Sequence, residues 1–251
     1  MNILRSIIFN IFLVVGSLFL SIVLLWSLAL PPEKCADVVS TYYGGYIRWI
    51  TRHIMGLKLE LRGLENLPKD TPCILAAKHQ SAYETLTIPF THSFGLPVII
   101  LKKELTKIPL WGLYPGGMGQ VAINRGEGLE AMRAMSAGCK AAIAAGRSII
   151  IFPQGTRVKP GRVFPYKPGI AKIYRDLGVP IVPVALNTGV FWGKNAFFKK
   201  SGTIVYEFLP AIPAGQPPLK MMEQLEAQIE AASDKLVIEA GGPALPVKTE
   251  A

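Results

Sequence analysis

The stretch Cys73-Ile74-Leu75-Ala76-Ala77-Lys78-His79-Gln80-Ser81-Ala82-Tyr83-Glu84 joins three local structures. Cys73–Ala77 is a short apolar run that reads as a strand, and Lys78, His79 and Gln80 form a polar loop. Ser81-Ala82-Tyr83-Glu84 has the form of a capping box, with Ser at the N-cap and Glu at N3 of the next helix. Two readings of His79 are open. It is a loop residue of no consequence, or it is a base. A Glu in the first helical turn points back toward the entering loop. Its carboxylate can accept a hydrogen bond from His79 Nδ1–H, which leaves Nε2 to accept a proton. Glu84 can serve as cap and as orienter together, because one carboxylate accepts several hydrogen bonds.

Outward from this unit, strand-like and helix-like segments alternate. Lys58–Leu61 reads as a strand upstream, and Val98–Leu101 and Gln120–Ile123 follow downstream. A helix rich in small residues runs from about Gly128 to Ala145, and Ser148–Phe152 is a continuous apolar run suited to a buried strand. A helix near Gly169–Leu177, strands at Ile181–Leu186 and Thr203–Leu209, and a last helix from about Leu219 to Ile238 complete the series. This alternation predicts an α/β fold over residues 58–240, a mostly parallel mixed sheet with flanking helices. No internal repeat is present. Residues 241–251, rich in Gly, Pro and charge, read as a flexible tail.

Residues 1–57 differ in kind. From Ser6 to Leu30 there is no charge, and Asn10 is the only strongly polar side chain. As one helix this run would be roughly 37 Å long, against a hydrocarbon core of about 30 Å. A cleaved signal peptide is the rival reading. The run exceeds an h-region of about 7–15 residues and no clear small-residue cleavage site follows it, which favours a retained anchor helix. Val38–Leu57 mixes Tyr42, Tyr43, Tyr46 and Trp49 with Arg48, Arg52 and His53. That mixture suits the headgroup zone and predicts a helix lying in the interface, with His53 a surface residue.

Composition agrees with a lipid setting. Of 251 residues, 50% are hydrophobic and only 18% are charged, against about 25% charged in an average soluble domain. The net charge of +10 suits anionic partners such as a bilayer surface or a phosphorylated substrate. Nucleic acid is disfavoured, because the charge is dispersed and no recognised binding motif accompanies it. Cys35, Cys73 and Cys139 are scattered without a CxxC pair, so neither a metal site nor a disulfide framework is expected.

Four segments taken together resemble one family. His79-x-x-x-x-Glu84 is similar to the H-x-x-x-x-D motif of the glycerolipid acyltransferases, best known through the 1-acylglycerol-3-phosphate acyltransferases. Lys102-Lys103-Glu104-Leu105, Ile108-Pro109, Gly112, Gly119 and Ile123-Asn124-Arg125 resemble the second block. Phe152-Pro153-Gln154-Gly155-Thr156-Arg157 resembles the F-P-E-G-T-R block, and Val182-Pro183-Val184-Ala185-Leu186 resembles the fourth. The blocks occur in the family's order, and the likeness covers residues 58–210.

The resemblance implies a transfer of a fatty acyl group from acyl-CoA or acyl carrier protein to the free hydroxyl of 1-acylglycerol-3-phosphate. The product is phosphatidic acid, in phospholipid biosynthesis. His79 is then the general base and Glu84 its orienter. Arg125 and Arg157 match arginines that bind the acceptor's phosphate, a task suited to a planar, permanently charged guanidinium. Lys102 is a further candidate for that contact. Gln154, Gly155 and Thr156 belong to the acceptor site, where Gly155 lets backbone N–H groups approach. No acyl-enzyme is implied, so Ser81 remains a cap. No metal or cofactor is implied beyond the acyl co-substrate. The expected partners are a lysophospholipid, the acyl donor and the lipid bilayer, with the catalytic domain on the cytoplasmic side of the cell inner membrane. Whether the first helix spans the bilayer or sits in one leaflet stays open.

Two residues depart from the family pattern. Glu84 replaces Asp and is one methylene longer. Gln154 replaces Glu, exchanging a pure acceptor for an amide that donates and accepts. The second change puts the acceptor in doubt, and another lysolipid such as lyso-ornithine lipid is an alternative. A catalytically weak lipid-binding relative is another. A serine hydrolase is disfavoured, because there is no G-x-S-x-G.

Overall fold

The computed structural model describes residues 2–124 and 128–243. Helix α1 (Asn2–Val23) ends before the apolar run does, and Leu25–Ala29 tightens into a 3-10 turn. Pro31 and Pro32 then redirect the chain, since proline cannot donate within a continuing helix but suits the start of a new one. Helix α2 (Pro32–Val39), a π-helical turn at Ser40–Gly44 and α3 (Gly45–His53) follow directly. The single helix expected over Ser6–Leu30 is therefore shorter. The aromatic segment expected as a helix over Val38–Leu57 starts earlier, at Pro32, and ends at His53.

The remaining elements are β1 (Leu57–Arg62), β2 (Ile74–Ala77), α4 (Tyr83–Thr87), β3 (Val98–Lys102), α5 (Tyr114–Gly117), β4 (Val121–Ile123) and α6 (Gly128–Ala144). They continue with β5 (Ile149–Ile151), α7 (Gly169–Leu177), β6 (Ile181–Leu186), α8 (Thr188–Phe191), β7 (Gly202–Phe208) and α9 (Pro218–Glu239). The strands form one sheet in the order β1-β7-β6-β2-β5-β3-β4. Every neighbouring pair is parallel except β6 and β7. The mostly parallel mixed sheet expected from the alternation is present. The antiparallel step, which makes β1 and β7 run against the rest, carried no signal in the sequence.

Side chains alternate across the strands and sort into two cores. Leu75, Ala77, Ile99, Val182, Val184 and Ile204 face a layer built from α1 to α3, where Phe9, Ile47 and Ile50 are fully buried. Ile74, Ala76, Ile100, Ile149 and Ile181 face α6, α7 and α9. All residues of β2 and β6 are buried, as strands covered on both faces require. Small residues explain the close seat of α6. A Cβ on Gly138 would lie 2.7 Å from Val121 Cγ2. In such sheets, ligands bind outside the carboxyl ends of the strands where neighbouring connections diverge. Here that point lies at the end of β2, between β5 and β6.

Candidate active site

The loop leaving β2 is held on both sides. Lys78 N–H donates to the Val184 carbonyl at 2.9 Å, and Val158 N–H donates to the His79 carbonyl at 2.8 Å. Glu84, in the first turn of α4, is fully buried. Its Oε2 lies 3.0 Å from His79 Nδ1. The same carboxylate accepts the Ser81 N–H at 2.9 and 3.0 Å and the Gln80 N–H at 3.3 Å. The Thr188 hydroxyl, at the start of α8, also donates to it. Half of the expected capping box is thus formed, by the Glu84 side chain on the Ser81 N–H. The Ser81 hydroxyl accepts from Tyr83 N–H at 3.1 Å instead of from Glu84, because α4 begins at Tyr83.

With Nδ1 engaged by Glu84, Nε2 is the nitrogen free to act as base. The Phe152 ring stacks on the imidazole at 4.0 Å with an interplanar angle of 15°, which fixes its plane. Gln80 steadies the loop by accepting the Gly189 N–H at 2.9 Å. Just before His79, the Lys78 ammonium is buried and paired with Glu230 of α9, which also accepts from the Tyr166 hydroxyl at 2.9 Å. Burial and the neighbouring Glu230 carboxylate push the Tyr166 hydroxyl pKa far up.

His79 lines a cavity of about 800 Å³. Its rim includes Lys102, Thr156 and Arg157, and its interior is apolar, with Leu86, Phe90 and Trp111 among the lining residues. Leu13, Ser17 and Leu18 of α1 close one wall. The turn that presents Thr156 and Arg157 depends on Gly155, whose φ of 66° is strained for any residue with a Cβ. Phe152 closes this turn by accepting the Gly155 N–H at 2.9 Å.

Residues far apart in the sequence converge here. His79, Lys102, Gly155, Thr156 and Arg157 all line the cavity, with Glu84 behind His79. Gln154, next to Gly155 in the chain, does not line it; it is 1% exposed, and both its amide N and O lack a hydrogen-bond partner among the described residues. Arg125 lies outside the described residues. Thr188, Gln80 and the Lys78–Glu230 pair were not legible as site residues. Thr188 stands 104 positions from Glu84, and only the adjacency of β6 to β2 brings the two together. His53 lies on the surface beside Trp49, and Cys35, Cys73 and Cys139 are free and buried. An imidazole with Nδ1 engaged by a buried carboxylate thus stands between a cationic rim and an apolar chamber. That arrangement suits proton removal from an amphiphile with an anionic head and an apolar tail.

Residues 58–187 match the protein family described as Acyltransferase. The 1-acyl-sn-glycerol-3-phosphate acyltransferase of Pseudomonas aeruginosa is 32% identical over 184 residues, 73% of this chain and 70% of that protein. The protein of the same name from Borreliella burgdorferi is 35% identical over 159 residues, 62% of each chain. The beta form from Homo sapiens is 31% identical over 176 residues, 66% of this chain and 61% of that one. Among solved structures, the 1-acyl-sn-glycerophosphate (LPA) acyltransferase PlsC of Thermotoga maritima superposes with a TM-score of 0.76. It covers 94% of this chain and 95% of its own at 23% identity, so the fold is shared through nearly the whole length.

Proposed function

The chain belongs to the acyltransferase family, and from that premise we propose that it acylates the free hydroxyl of 1-acylglycerol-3-phosphate to give phosphatidic acid. The donor in this reading is acyl-CoA or acyl carrier protein. The observation that carries it is the His79–Glu84 pair facing a chamber that is cationic at its rim and apolar within. His79 Nε2 takes the hydroxyl proton as the acceptor oxygen attacks the thioester carbonyl. The tetrahedral intermediate collapses with loss of the thiolate, which recovers the proton from the imidazolium. Glu84 keeps Nδ1 protonated throughout and stabilises the transient positive charge. Arg157 and Lys102 bind the acceptor's phosphate in this reading. Gly155 and Thr156 shape the turn next to it. The buried, unpartnered amide of Gln154 supports a second reading of the acceptor, in which another lysolipid such as lyso-ornithine lipid takes the place of lysophosphatidate.

Residues 1–57 serve, in this reading, as a membrane anchor for the catalytic region 58–240. Polar groups along α1 are fastened to the rest of the molecule. Tyr46 donates to the Phe12 carbonyl at 2.7 Å, Ser17 meets the Tyr43 hydroxyl at 3.3 Å, and Tyr114 donates to the Ser21 carbonyl at 2.6 Å. A helix bound along its length cannot leave its domain to cross a bilayer alone. Its outer faces carry exposed Leu4, Val15 and Phe19. This supports an anchor embedded in one leaflet, on the cytoplasmic side of the inner membrane where the acyl donors are.

Thiol release from acyl-CoA by purified protein with lysophosphatidate tests the reaction. The rate should fall by about 10²- to 10⁴-fold in His79→Ala, the usual contribution of a positioned base. Turnover in wild type that persists undiminished in the variant would remove His79 from the chemistry. Turnover seen only with a different lysolipid would keep the mechanism and move the acceptor.

A further inference from the structure

The long apolar run at the N-terminus contains one strongly polar side chain, Asn10, and the structure shows what it holds. Asn10 Nδ2 donates to the Phe197 carbonyl at 3.1 Å, and its Oδ1 accepts from the Lys199 ammonium at 2.6 Å. One turn earlier, Ser6 Oγ accepts the Lys199 N–H at 2.9 Å. The Lys199 side chain is buried over the rings of Trp192 and Phe9, at 4.8 and 5.3 Å. The segment 193–201 is therefore clamped to the first turns of α1 through groups that an apolar helix has no other reason to carry.

That clamp turns two aromatic side chains outward. Phe197 and Phe198 are each 56% exposed, and their rings pack edge to face at 5.1 Å. The Phe197 carbonyl is held by Asn10, so the pair adjoins α1, whose Ile3, Leu4 and Ile7 are also exposed. Cations flank the pair. Lys194 and Lys200 are exposed, and the Arg5 guanidinium and Ser201 both lie 3.4 Å from where a Cβ on Gly56 would be. Lys194 and Asn195 also line the cavity that His79 faces. Isolated exposed apolar residues are ordinary, but an exposed aromatic pair with a lysine on either side in the chain, fastened to an apolar helix, matches an anionic bilayer surface.

We infer that the loop 193–201 is a second membrane-inserting element, which buries Phe197 and Phe198 in an anionic phospholipid surface and seats the cavity mouth against it. The cations meet the headgroups, the rings enter the headgroup–acyl boundary, and α1 lies alongside. A lipid then reaches the cavity past Lys194 and Asn195 without passing through water.

The full chain carrying a polarity-sensitive fluorophore at Phe197→Cys, and separately at Phe198→Cys, tests this. The native cysteines are buried, so labelling is selective. Leu219→Cys, 73% exposed on α9 in the layer across the sheet, is the reference position. In phosphatidylglycerol vesicles, labels at 197 and 198 should shift to the blue and be quenched by nitroxides placed high on the lipid acyl chains. The label at 219 should keep its aqueous emission. The response should be weaker in phosphatidylcholine vesicles. Aqueous emission at both loop positions in either lipid would overturn insertion, and equal quenching at 219 would overturn its localisation to this loop. An equal response in the two lipids would overturn the anionic preference. A blue shift produced by added acyl carrier protein and not by vesicles would assign the loop to a protein partner instead.

Discussion

Between His79 Nδ1 and Glu84 Oε2 the 3.0 Å contact needs the extra methylene of Glu to be absorbed somewhere. The Gln80 and Ser81 N–H groups hold the same carboxylate in place. Glu84→Gln keeps the shape but removes the charge that, in the proposed mechanism, steadies an imidazolium. We expect kcat to fall by on the order of 10²-fold or more with little change in KM. Thr188→Val removes one charge-assisted hydrogen bond, worth about 1.5–3 kcal/mol. Its kcat should fall less, by roughly tenfold, and steady-state kinetics on both variants checks the order. Gln154 sets a different test. A carboxylate at that buried, unpartnered position would be penalised by desolvation, which raises its folded pKa above its unfolded value. Gln154→Glu should therefore match wild type in thermal stability near pH 4 and fall behind as pH rises toward 8. A constant gap across that range would show that the site solvates the charge. The His–Glu pair was legible in the sequence because five residues and a helix start set its geometry. Thr188 was not, because nothing local links it to Glu84.

At the level of elements, the loop that carries His79 is braced by α9. The Lys78–Glu230 pair and the Tyr166 hydroxyl join that helix to the residue preceding His79. Removing one member of a fully enclosed ion pair costs about 3–5 kcal/mol. Glu230 keeps 18% of its side chain exposed, so about 2 kcal/mol is a fair expectation for Glu230→Gln, or a fall in Tm of roughly 4–8 °C. Calorimetry measures this, and kcat should fall with it because the loop loosens. An unchanged Tm would mean that the pair contributes nothing net. The strands and the three longer helices α6, α7 and α9 beyond residue 57 were legible within a residue or two, since periodicity and helix-stopping residues are local, whereas the one-turn helices α5 and α8 were not. The division of the N-terminal run into α1, a 3-10 turn and α2 was less so, because uniform apolarity gives a helix no internal end.

For the whole molecule, the N-terminal helices are a wall of the core. Phe9, Ile47 and Ile50 are fully buried against the sheet face that carries Leu75 and Val184. Deleting residues 1–57 would uncover that face, at about 25 cal/mol for each Å² of apolar surface returned to water. We expect the fragment 58–251 to aggregate and to show no cooperative thermal transition by circular dichroism, even in detergent. A soluble fragment with a sharp transition would sink this expectation. The sequence by itself determined the alternation of strands and helices, the apolar N-terminus and the His79–Glu84 pair, because each is written within one or two turns of chain. Only the tertiary structure decided that β7 enters antiparallel and that Thr188 reaches Glu84. It alone decided that Glu230 braces Lys78 and that Asn10 clamps the loop of Phe197 and Phe198. Those meetings depend on which surfaces pack against which, a property of the closed core that no short stretch contains.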